Sequence, residues 1–114
     1  MKLYQLAKLI RSKNAGPFML TIDILFETDA AFLEVVNSHV LSKELIADLY
    51  KRELEEIQYY ELPLAKAVKF SFPRPAPSGD FLDRDVYGAQ FHEPLVNLDI
   101  PIKGKIEPRI SKAK

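Results

Sequence analysis

The chain has no cysteine and no tryptophan, only four glycines among its 114 residues, and no excess of either charge. Each absence excludes something. Without cysteine there is no disulfide, no thiolate metal site and no cysteine nucleophile. With lysine plus arginine equal to aspartate plus glutamate, the basic stripe of a nucleic-acid binder is not expected. No apolar run reaches the length of a bilayer span, and Met1-Lys2-Leu3-Tyr4-Gln5 is too polar for a signal peptide. Cytoplasmic location is therefore the default expectation. The few glycines leave no glycine-rich phosphate loop. No nucleophile elbow, zinc helix or dinucleotide fingerprint is present either.

What the chain does have is enough apolar sequence for one core. Its length fits one domain, since domains cluster at about 100–150 residues. We expect that domain over residues 1–103, followed by a flexible, lysine-rich tail over 104–114. The clearest strand signal is residues 18–26. There Phe18, Leu20, Ile22, Ile24 and Phe26 share one apolar face, and Met19, Thr21, Asp23 and Leu25 share the other. Asp23 is unusual in mid-strand. An exposed carboxylate, or one paired with a neighbouring lysine, is the simpler reading than a catalytic group. Residues 3–10 fit either helical or strand spacing. The turn and strand that follow favour a strand.

Thr28 or Asp29 caps a helix that runs through Asn37 and buries Phe32, Val35 and Val36. Ser42 caps a second helix from Lys43 to about Lys51, with Leu45, Ile46, Leu49 and Tyr50 as its stripe. His39 between them reads as a surface or capping group. Glu55 to Leu62 and Ala67 to Pro73 form a hairpin, with Val68, Phe70 and Phe72 inward and Lys69 and Ser71 outward. The alternating prolines of 73–79 force an extended loop. A short helix is possible within 80–92, and Val96 to Ile102 reads as the last strand. The order is β-α-β-β-α-β, a ferredoxin-like α+β sandwich with an extra N-terminal strand. Its helices lie on one face of a mostly antiparallel sheet, and its other face is left open for assembly.

Two polar loops are candidates for chemistry. In the turn 11–17, Arg11, Ser12, Lys13 and Asn14 bring donors, and Gly16 lets a ligand approach the backbone. Such sets hold phosphate or carboxylate groups. In the loop 74–92, Arg74 and Gln90 are further ligand-binding candidates. His92 with Asp85 or Tyr87 is chemically able to do acid–base work. Asp83 and Asp85 with His92 or Glu93 lack the rest of a cation-loop pattern. A hydrogen-bonded plug of Asp85, Tyr87, Gln90 and His92 is the better reading. No metal and no cofactor are expected.

Arg11-Ser12-Lys13-Asn14-Ala15-Gly16-Pro17-Phe18, Thr21-Ile22-Asp23, Pro73-Arg74-Pro75-x-Pro77-Ser78-Gly79 and Asp85-x-Tyr87-Gly88-Ala89-Gln90-x-His92-x-Pro94-Leu95 together resemble a family of small proteins catalogued as domain of unknown function 4387. That family is similar to the C-terminal ferredoxin-fold region of proteins like acyclic terpene utilisation protein A, which carries an Arg-Ser-Gly-Asp-Lys-Gly turn before a strand. Arg11, Ser12 and Gly16 match that turn. Asn14 replaces its acidic residue, and Lys13 lies one position from either assignment. The resemblance implies a free-standing accessory subunit that pairs with a larger protein of that type. It would contribute polar loops to a shared site for a small anion or acyl thioester. The alternative is a stand-alone, self-associating enzyme or binding protein for a small carboxylate or acyl thioester. There Arg11, Lys13 and Arg74 would hold the anion.

Overall fold

The computed structural model describes residues 1–16, 18–73 and 93–102. A one-turn helix, α1 (Leu3–Leu6), leads into strand β1 (Ala7–Asn14). Strand β2 (Met19–Phe26) is followed by helices α2 (Asp29–Ser38) and α3 (Lys43–Tyr50). Then come β3 (Gln58–Leu62), β4 (Ala67–Pro73) and a one-turn helix α4 (Glu93–Val96). The four strands form one antiparallel sheet in the order β1-β2-β4-β3. The α+β class and the antiparallel sheet with helices are as expected, and they are compatible with a ferredoxin-like fold.

Local chemistry accounts for the helices. The Ala31 N–H donates to Thr28 Oγ1 at 3.1 Å, and the Leu45 N–H donates to Ser42 Oγ at 3.1 Å. Each hydroxyl satisfies a donor that the first helical turn leaves without a partner. Both helices end on a residue in the left-handed region, His39 (φ 60°) and Lys51 (φ 58°). His39 is thus a cap, one of its two expected roles. Phe32, Val35, Ile46 and Tyr50 from the helices meet Leu20, Ile22, Ile24, Val68, Phe70 and Phe72 from the sheet in one core. The Tyr50 and Phe72 rings lie 5.0 Å apart, centre to centre.

Four expectations need correction. Residues 3–6 are helical, because Leu3 and Leu6 both enter the core. A strand would send a residue and its third successor to opposite faces. Phe18 is 63% exposed and outside β2, since the turn after β1 extends through it. The strand expected from Glu55 begins at Gln58, after a single 3-10 turn, Leu54–Glu56. The turn is held by the Glu53 N–H donating to Glu56 Oε1 at 2.9 Å.

Lastly, residues 96–102 add no strand to the sheet. The place beside β2 belongs to β1, which reaches it through a connection of a few residues, and closing so short a loop costs little entropy. The 98–100 segment instead lies along the start of the chain. The Leu3 N–H donates to the Leu98 carbonyl at 2.8 Å, and Lys2 bridges Asp99. Leu95 and Ile100 still reach the core. The expected tail, 104–114, lies outside the described residues.

Candidate functional site

β1 extends as far as Asn14, so the residues expected to form one polar turn lie largely on a strand. The pleat therefore separates them. In register, Ser12 faces Ile22 and Asn14 faces Leu20, on the core side. Ser12 is buried, and both residues are already engaged in interactions. Arg11 and Lys13 lie on the opposite side, across from Asp23 and Thr21. Gly16 sits in the turn at φ +85°, with nothing within 4 Å of where a Cβ would stand. The turn 11–17 thus does not gather its donors into one cluster. Arg74, Asp85, Tyr87, Gln90 and His92 lie outside the described residues. No meeting of the two loops is therefore on view.

The structure does assemble an open sheet face. The register lays out three rows across the order β1-β2-β4-β3. The first is Leu9, Leu25, Ala67 and Leu62. The second is Arg11, Asp23, Lys69 and Tyr60. The third is Lys13, Thr21, Ser71 and Gln58. Within these rows Thr21 and Ala67 are buried, and the other residues are half-buried or exposed. Leu9, Tyr60 and Leu62 are 42, 44 and 42% exposed, and Leu64 in the adjoining β3–β4 turn is fully exposed. The buried residues of α2 and α3 pack with the inward residues of the opposite side.

The charged row explains Asp23. The Arg11 Nε donates to Asp23 Oδ2 at 3.3 Å, and the Asp23 side chain is 15% exposed. The carboxylate is therefore paired, as the simpler reading required, although its partner is an arginine. Lys69 is its register neighbour on the other side. A single anion on β2 between cations on β1 and β4 gives each cross-strand pair opposite charges.

The third row borders a shallow recess of about 430 Å³, lined by Thr21, Gln58, Tyr60, Leu62, Lys69 and Ser71 among others. Thr21 Oγ1 donates to the Lys13 carbonyl at 3.5 Å, and the Tyr60 hydroxyl donates to Gln58 Oε1 at 3.0 Å. Motif reasoning did not single out this set. The alternation in β4 does point Lys69 and Ser71 away from the core. Grouping them with Thr21 and Gln58, however, needs the strand register.

Burial pushes the Tyr50 hydroxyl well above the ordinary tyrosine range. Tyr59 is shifted the same way, first by burial and then by its 2.8 Å hydrogen bond to the Glu61 carboxylate and that group's negative charge. Both stay neutral hydrogen-bonding groups at ordinary pH. Among the described residues no three histidine or carboxylate side chains stand close enough to hold a metal ion, and no helix is long and apolar enough to cross a membrane.

No curated protein and no solved structure matches the chain. A family model described as domain of unknown function (DUF4387) matches residues 3–99.

Proposed function

The chain belongs to the DUF4387 family, and from that membership we propose that it is a small accessory module that docks onto a larger protein through the open face of its sheet. The observation that supports this reading is the three-row face itself. Exposed Leu9 and Leu62 form an apolar margin beside a charged centre. An uncovered apolar margin of this kind is what interaction surfaces present.

The charge pattern favours a partner over a second copy. The face carries Arg11, Lys13 and Lys69 against one anion, Asp23. Two such faces stacked on each other would oppose like charges, which costs several kcal/mol where the charges are desolvated. The segment 27–56, which holds α2 and α3, has eight acidic residues and three basic ones. The neutral chain is therefore polar, with a basic sheet face and an acidic helical segment. The partner that fits is an acidic surface with apolar contacts. The match of Arg11, Ser12 and Gly16 to the turn of the acyclic terpene utilisation type suggests a larger protein of that type. In such a pair, Lys13, Gly16 and the loop 83–92 would border a shared site for a small anion or acyl thioester.

Co-expression with a larger protein of that type from the same genome tests the proposal. The two chains should purify together. A triple replacement, Arg11→Gln, Lys13→Gln and Lys69→Gln, should abolish the association while the small chain stays folded, since glutamine still offers Asp23 a hydrogen bond. A strictly monomeric chain that never co-purifies, or a complex indifferent to all three replacements, would refute it.

A further inference from the structure

We infer that the recess at the third row is a binding site for a monocarboxylate with a short apolar body. Among the described residues, neither the Lys69 ammonium nor the Ser71 hydroxyl has an ion-pair or hydrogen-bond partner. Both line the recess. Arg11, the nearest other cation in the register, is taken up by Asp23. The Thr21 hydroxyl spends its proton on the Lys13 carbonyl. The Gln58 carbonyl oxygen accepts from Tyr60, so the hydrogens of its amide are left as donors.

The free donors are thus one ammonium, one hydroxyl and one amide, on the adjacent strands β3 and β4. That set matches the two oxygens of a carboxylate, and it offers one positive charge for one negative charge. A phosphate dianion would need a second cation in the lining, and among the described lining residues Lys69 is the one cation. The Tyr60 ring and Leu62 supply the apolar wall. A volume of about 430 Å³ falls at the lower end of ligand pockets, roughly 300–1,000 Å³. It holds a short acyl chain as well as the carboxylate. The recess opens on the face proposed to dock, and its test uses the free chain, so failure of one proposal is distinguishable from failure of the other.

The test is an NMR titration of the full chain with hexanoate, with hexylamine, hexanol and inorganic phosphate as comparison probes. Hexanoate should give saturable shifts at Thr21, Gln58, Lys69 and Ser71, and the other three probes should not. Lys69→Met should weaken hexanoate binding by roughly tenfold or more, because it removes the charged hydrogen bond. Lys69→Arg should retain most of it. Spectra outside the recess report whether each variant is folded. Ser71→Ala, a smaller change at an outward position, should weaken binding several-fold. Three results would overturn the inference: no saturable response to hexanoate, an equal response to hexylamine, hexanol or phosphate, or unchanged binding in folded Lys69→Met.

Discussion

Asp23 shows how a residue that looks anomalous alone becomes ordinary beside its neighbours. Aspartate is rare in strands because it competes for backbone donors and loses solvation there. In this sheet it faces Arg11 across one ladder and Lys69 across the other. Asp23→Asn should therefore destabilise the fold by about 1 kcal/mol, since it leaves two cations with no anion between them. Chemical denaturation measures this. A double-mutant cycle with Arg11→Gln should show coupling that fades at high salt. Tyr50 and Tyr59 carry a second residue-scale prediction. Their folded pKa values lie above the unfolded value of about 10. Between those limits the folded state holds more protons, so stability should fall as pH rises above about 10 and be unaffected by these groups below it. Denaturant midpoints across alkaline pH check the sign, and Tyr50→Phe with Tyr59→Phe should flatten the fall.

At the scale of elements, the helices follow from their caps and stripes. Thr28 and Ser42 stand where the expected N-caps stand, and each accepts the backbone hydrogen bond that such a residue exists to accept. Ser42→Ala should cost about 1 kcal/mol, and Ser42→Gly only a few tenths. Thermal unfolding distinguishes the two. Replacing Lys51 (φ 58°) by glycine should raise stability by up to about 1 kcal/mol, because the left-handed conformation strains any residue with a Cβ. The strands were legible for the same kind of reason. The alternation in 18–26 and 67–73 identifies inward and outward positions directly. The ends were less so. Leu3 and Leu6 suit a helix turn, yet so short a segment carries too little pattern to separate it from a strand. Val96 to Ile102 has strand alternation, but β1 holds the position beside β2.

For the whole molecule, the consequence of these rows is a sheet with one side in the core and one side open. If that side docks on an acidic partner, affinity should fall with ionic strength, mostly through slower association. Leu62→Asp should weaken the complex further with little effect on the stability of the free chain, since Leu62 is outside the core. Titration calorimetry at two salt concentrations, with denaturation of the free variant, separates these effects. The α+β class, the two capped helices, the β3–β4 hairpin and the faces of the central strands were all legible in the sequence. These depend on periodicity and on contacts between near neighbours. That Arg11, Ser12, Lys13 and Asn14 divide between two faces emerges from the assembled sheet alone. The same holds for Arg11 pairing with Asp23, and for Lys69, Ser71, Thr21 and Gln58 sharing one recess. Those outcomes depend on the register between strands distant in sequence, and alternation within a single strand contains no information about its partner.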